Sequence, residues 1–140
     1  PRETHPYISP EIITQLSRSN KLRLGNVNAR RDLTFVSDAA QGAMALMKTD
    51  KAVGQVFNSG TGIDYSVREM AEHLAEVMGV GNMEIVLDEA RLRPLDVERL
   101  QANYFKIHQL TGWKPKKSFS DGLKETVDWF YENGKKWPWE

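Results

Sequence analysis

The stretch Ser66-Val67-Arg68-Glu69-Met70-Ala71-Glu72-His73-Leu74-Ala75-Glu76-Val77-Met78 decides the fold class. Ser66 and Glu69 make a capping box, in which a hydroxyl and a carboxylate each satisfy an orphan backbone donor at a helix start. Val67, Met70, Ala71, Leu74, Val77 and Met78 then recur at helical spacing, so one apolar stripe faces a core. Outward from this helix the chain alternates short strands with further helices. Before it, Gln55 to Asn58 reads as a strand and Ser59-Gly60-Thr61-Gly62 as a loop. After it, Met83 to Leu87 reads as a strand and Val97 to Leu100 as a weaker one.

The flanks follow the same rules. Ser9-Pro10-Glu11 reads as an N-cap, a proline at the first helical position and an acid in the first turn, opening a helix that buries Ile12, Ile13 and Leu16. Lys21 to Leu24 alternates polar and apolar, a short strand ended by Gly25. Ser37 or Asp38 is expected to cap an Ala- and Met-rich helix running from Ala39 to about Lys48. Asn103 opens a helix that Gly112 closes, with Trp113-Lys114-Pro115 preventing its continuation. Ser120 or Asp121 opens a last helix with Leu123, Val127, Phe130 and Tyr131 on one face and Gly134 as its stop. The expectation is therefore an α/β fold with five helices, near residues 10–18, 38–48, 67–78, 104–111 and 121–133. The strands are too few for a doubly wound sheet, which points to a piece of a larger α/β protein. The tail 135–140, with Trp137 and Trp139, has no period and is expected to dock loosely.

Composition narrows the chemistry. The chain has 140 residues, 19 basic and 19 acidic, so its formal charge is zero. The balanced charge argues against a nucleic-acid surface, which needs a clustered basic face. There is no cysteine, which removes disulfides, thiolate metal sites and cysteine nucleophiles together. No apolar run approaches the length of a membrane span and no signal-peptide pattern opens the chain, so a soluble cytoplasmic protein is expected. His5, His73 and His108 share no metal-ligand spacing, and structural roles are expected for each.

Arg30-Arg31-Asp32-Leu33-Thr34-Phe35-Val36-Ser37-Asp38 carries the main ligand signal. A guanidinium offers parallel donors to phosphate oxygens and stays charged at any working pH. Arg31-Asp32 leads into an apolar strand and a capped helix, which fixes the pair; Arg93 precedes Pro94, which stiffens its loop. Together they suggest a nucleotide diphosphate held between two arginines. Arg91 and Arg99 are expected to be surface charges. Gly60-Thr61-Gly62 has the setting of a dinucleotide loop but Tyr65 stands where the third glycine belongs, and a turn lining a ligand pocket is the better reading. Tyr131 and Lys135 have the spacing of a catalytic tyrosine–lysine pair, yet Gly134 separates them, leaving a core tyrosine and a solvated lysine. No catalytic residue and no metal site is identified.

The order of these motifs resembles one family. Pro1-Arg2, Arg31-Asp32 with Val36-x-Asp38, Phe57-Asn58-x-Gly60-x-Gly62, Ser66 with Glu69, Arg93-Pro94-x-Asp96, Ala102-Asn103-x-x-Lys106 and Leu110-x-Gly112-Trp113-Lys114-Pro115 run as in the C-terminal part of an NAD-dependent nucleotide-sugar epimerase or dehydratase, an extended short-chain dehydrogenase. The resemblance implies a substrate-binding region over residues 1–134 that lacks most of the Rossmann sheet, with 135–140 as a tail. It implies Arg31 and Arg93 as the diphosphate clamp, Asp96 as acceptor from a ribose hydroxyl, and Leu22 and Leu24 as positions flanking the base. Leu100 stands where some members carry a tyrosine. It also implies that the glycine-rich NAD loop and the Tyr-x-x-x-Lys pair belong to a missing N-terminal Rossmann domain. The cofactor NAD would be held there, and this chain would be inert alone, leaning slightly to the 4,6-dehydratase side. The alternative is a stand-alone binding or assembly module that kept the fold without the chemistry.

Overall fold

The computed structural model describes residues 7–92, 95–135 and 137. Its described elements are α1 (Ile8–Leu16), β1 (Lys21–Leu24), β2 (Arg30–Arg31), α2 (Val36–Met47), β3 (Tyr65–Ser66), α3 (Val67–Val77), β4 (Glu84–Leu87), β5 (Arg99–Leu100), α4 (Phe105–Thr111) and α5 (Phe119–Glu132), with 3-10 turns at Asp50–Ala52 and Glu89–Arg91. The fold is α/β, and the five helices stand where the sequence pattern puts them. The chain divides into two compact units, one from residues 1–29, 66–96 and 120–140, the other from 30–65 and 97–119.

In the first unit, β1 and β4 pair in parallel, with Leu22 opposite Ile85 and Leu24 opposite Leu87. β1 alternates exposed and buried residues, and its inward Leu22 and Leu24 join Ile12, Ile13, Met70, Leu74 and Phe130 in the fully buried core. The capping box of α3 is formed: Glu69 N–H donates to Ser66 Oγ at 3.1 Å, and Ser66 N–H to the Glu69 carboxylate at 2.7 Å. The next orphan donors, on Val67 and Arg68, bond the carbonyls of Ala29 and Val27 at 3.0 Å each. α1 begins one residue before the expected cap, and the Ser9 hydroxyl, instead of capping, donates to Met70 Sδ at 3.3 Å. The tail is not loose at Trp137. That indole is buried, stacks on Phe130 with centroids 4.7 Å apart, and donates to Thr14 Oγ1 at 2.8 Å. Gly25 has no alternative, since a Cβ there would lie 2.5 Å from the Arg91 carbonyl oxygen.

In the second unit, β2 pairs in parallel with β5, Arg30 opposite Arg99 and Arg31 opposite Leu100. The apolar strand expected after Arg31-Asp32 is not formed: β2 ends at Arg31, and Leu33 to Phe35 are irregular. Asp38 does not cap α2. The helix starts at Val36, and the buried Asp38 carboxylate accepts from Lys116 N at 2.9 Å and Lys117 N at 2.8 Å. The Asp38 carbonyl takes Trp113 Nε1 at 3.1 Å, and Gly42 lets the same indole close on the helix, because a Cβ would sit 3.0 Å from it. α4 ends as expected at Gly112, in the left-handed region at φ 74°. The strand expected at Gln55–Asn58 is not formed.

Candidate functional site

β2 and the residue after it, Asp32, present three side chains in a row, each with different work. The Arg30 Nε donates to Asp64 Oδ1 at 2.6 Å and Nη2 to the Asp64 carbonyl at 3.0 Å. Arg99 Nε bonds the other carboxylate oxygen, so Asp64 joins β2 to β5 through two guanidiniums. Arg99 and Arg91 are exposed, as expected of surface charges, and both are ion-paired, Arg91 through Nη1 to Glu11 Oε1 at 2.8 Å. The Asp64 side chain is almost fully covered, and its hydrogen bonds from Arg30 first, then Arg99, hold its carboxyl below the ordinary value of 3.8. A depressed carboxyl stabilises the fold above its unfolded pKa and loses that contribution as pH falls through the folded value. Wild-type stability should accordingly drop as acid is added below that ordinary value, and Asp64→Asn should flatten the drop; equal acid titrations of the two melting temperatures would remove Asp64 from the explanation.

Arg31 is immobilised through its own backbone neighbours. Its Nη1 donates to the Arg30 carbonyl at 2.8 Å and to the Val97 carbonyl at 2.7 Å. Both acceptors are backbone carbonyls, and the two bonds orient the guanidinium.

Asp32 organises the glycine loop. Its carboxylate accepts from Thr61 N at 2.9 Å, Thr61 Oγ1 at 2.6 Å, Gly62 N at 2.9 Å and Ala102 N at 3.2 Å. Gly60 sits where a Cβ would approach Ala102 Cβ to 2.3 Å and Asp32 Oδ2 to 2.8 Å. A dinucleotide loop needs these amides for a pyrophosphate. Here an internal carboxylate already holds them, so the loop does not fit a nicotinamide cofactor. It is a clasp closed on Asp32.

Among the other candidates, Tyr131 is partly exposed rather than in the core, and Lys135 Nζ lies over its ring at 5.1 Å from the centroid. Lys135 follows Gly134 in a left-handed conformation outside α5, so the pair lacks the shared helical face that proton abstraction requires. His108 Nδ1 lies 3.1 Å from the Trp113 carbonyl, a structural contact. Among the described residues, no group of three His, Cys, Asp or Glu side chains could hold a metal, and no helix is long and apolar enough to cross a membrane.

In the first unit, one Asp96 oxygen accepts from Asn26 Nδ2 at 3.0 Å. Asn26 carried no signal beyond its place after Gly25. Leu22 and Leu24 point inward and are closed to solvent, so their side chains serve the core; the exposed alternates on β1 are Lys21 and Arg23. Leu100 is exposed on β5. Arg93 and Pro94 lie outside the described residues, as does His5.

Asp32, Asp38 and Gly60 each have a structural contact that explains its place in a motif, and comparison with known proteins gives the motifs a family. The family model described as GDP-mannose 4,6 dehydratase matches residues 3–126. The chain belongs to this family. It is 32% identical over 136 residues to GDP-6-deoxy-D-mannose reductase of Pseudomonas aeruginosa, covering 92% of this chain and 44% of the relative. Two solved structures superpose closely at 26% identity each. One is dTDP-glucose 4,6-dehydratase of Bacillus anthracis in complex with NAD, with a TM-score of 0.83, covering 96% of this chain and 42% of that one. The other is UDP-glucose 4-epimerase of Thermotoga maritima with UDP-glucose, with a TM-score of 0.82, covering 94% and 42%. Membership of the dehydratase family confirms the resemblance to extended short-chain dehydrogenases acting on nucleotide sugars. The chain spans under half the length of these relatives.

Proposed function

We propose that this chain is the nucleotide-sugar-binding part of an NAD-dependent nucleotide-sugar 4,6-dehydratase or epimerase. Arg31 supplies one guanidinium to the diphosphate and Arg93 a second, while Asp96 accepts from a ribose hydroxyl. The observation that carries the reading is the tethering of Arg31: a cation held in one plane by two carbonyls, on the strand where the family motif places its arginine. Preorganising a donor in this way lowers the ordering cost of binding. Support for the ligand class comes from the family match and from the solved relative that holds UDP-glucose. The Arg93 assignment rests on its motif alone. Asn26 holds one oxygen of Asp96 and turns the carboxylate, a positioning contact within the first unit.

The chemistry itself comes from elsewhere. NAD supplies hydride transfer, and its loop and base reside in a part of the enzyme these residues do not form. This chain would hold the nucleotide so that remote binding energy orients the sugar. Two measurements test the reading. Thermal-shift titration against UDP-, dTDP-, GDP- and CDP-sugars should give one base series that raises the melting temperature, and no shift with any series would overturn the ligand class. The purified 140-residue chain with added NAD should turn over none of them; product from any would place catalytic residues in this chain.

A further inference from the structure

Of the two carbonyls that aim the Arg31 guanidinium, one belongs to its chain neighbour and the other does not. The Arg30 carbonyl is on β2 with Arg31, whereas the Val97 carbonyl lies ahead of β5, which begins at Arg99. Where Arg31 points therefore depends on how β5 and the residues leading into it lie against β2. The ladder that sets this is short. β2 and β5 pair over two residues each, with backbone bonds from Arg30 N to the Glu98 carbonyl at 2.7 Å and from Asp32 N to the Leu100 carbonyl at 2.9 Å. So short a ladder specifies its register weakly.

Asp64 adds a constraint at the end where Val97 lies. Arg30 and Arg99 stand opposite each other in the register. Each donates through Nε to one oxygen of the Asp64 carboxylate, and Arg30 Nη2 also reaches the Asp64 carbonyl. The Asp64 side chain is 3% exposed, against 37% for Arg30 and 61% for Arg99. A buried carboxylate thus draws in one guanidinium from each strand. Without it, two like charges would face each other across the pair, which destabilises strand pairing. Asp32 holds the other end of the ladder, through Ala102 N. We propose that Asp64 is a positioning residue for the diphosphate-binding arginine: by binding Arg30 and Arg99 together it locks β5 against β2, so that the Val97 carbonyl aims Arg31. This rests on the reading above of Arg31 as a diphosphate ligand. Successive side chains leave opposite faces of a strand, so Asp64, bound to Arg30, stands behind Arg31 and away from the phosphates.

A double-mutant cycle tests this in the enzyme joined to its dinucleotide half. Binding of UDP, dTDP, GDP and CDP is read by calorimetry, and the tightest of the four is carried through the variants. Asp64→Asn keeps the size of the side chain and turns one acceptor oxygen into a donor facing a guanidinium. It should weaken diphosphate binding by roughly three- to tenfold in the wild type and by less than about twofold in the Arg31→Ala background. Lost folding stability alone would act equally in both backgrounds, so the cycle separates aiming from folding. Arg99→Gln breaks the β5 side of the same bridge at an exposed side chain. It should show the same pattern, and it carries the test if Asp64→Asn does not fold. Unchanged affinity in the folded bridge variants, or a loss as large without Arg31 as with it, would overturn the proposal. Arg31→Ala alone reports on the earlier reading. Affinity unchanged there, or no binding of any of the four diphosphates, removes the clamp and the role of Asp64 with it. Affinity lost there without coupling to Asp64 or Arg99 removes the role of Asp64 alone.

Discussion

Asp32→Ala should lower the melting temperature by roughly 10 °C, the effect of about 3 kcal/mol in a chain of this size. The substitution removes one carboxylate and leaves four donors without their acceptor: the amides of Thr61, Gly62 and Ala102, and the Thr61 hydroxyl. Bonds to a charged acceptor are about twice as strong as neutral ones, and donors left unpaired cost their desolvation as well. The site is half-buried, so water replaces part of what is lost and the full sum of four bonds is not reached. Asp32→Asn should recover little, because its amide nitrogen would face donors where an oxygen is required. Amide hydrogen exchange sharpens the test. Thr61, Gly62 and Ala102 should lose protection in Asp32→Ala while Leu74, in the core of the first unit, keeps it. Retained protection at the three amides would show that the clasp is held by something other than Asp32.

The contrast between Asp32 and α3 explains what the sequence made visible. The capping box and stripe of α3 are local: Ser66 reads Glu69 three residues away, and the period of the apolar positions repeats within the same segment. The α/β class, the five helices and the alternation of β1 follow from signals of that kind. Asp38 was legible as an acid near a helix start, but its partners Lys116 and Lys117 lie 78 and 79 residues away, and no local pattern announces them. The partners of Arg99 and Arg91 were hidden for the same reason, since Asp64 and Glu11 are 35 and 80 residues distant. The Gln55–Asn58 segment fails differently. Strand propensity measures how well side chains fit a sheet, and it cannot supply the neighbouring strand. In the candidate site, the sequence put a strand after Arg31 whereas Arg31 stands on β2 itself; Asn26 and Asp64, which bond Asp96 and Arg30, had no motif to betray them.

Arg31→Ala carries the largest expected effect on function. In the enzyme joined to its dinucleotide half, one charge-assisted contact to a diphosphate contributes about 1.5–3 kcal/mol, so nucleotide-sugar affinity should fall by roughly 10- to 150-fold. Arg93→Ala should fall in the same range if the two guanidiniums act on one diphosphate. Arg31→Lys should restore only part of the loss, because an ammonium keeps the charge but cannot reproduce a planar fork. It also cannot easily reach both the Arg30 and Val97 carbonyls that fix the guanidinium plane, so the residual affinity should be more salt-sensitive than the wild type. The alanine variant frees the Val97 carbonyl as well, and a melting curve must accompany each titration to separate a weakened β2–β5 contact from a lost ligand contact. An unchanged melting temperature with affinity reduced as stated identifies Arg31 as a ligand residue. A lowered melting temperature with wild-type affinity makes it a strut between β2 and Val97. Calorimetric titration with the matching nucleoside diphosphate, which lacks the sugar, decides the last point: the fold-loss should be the same as for the nucleotide sugar, because the arginine grips only what the two ligands share.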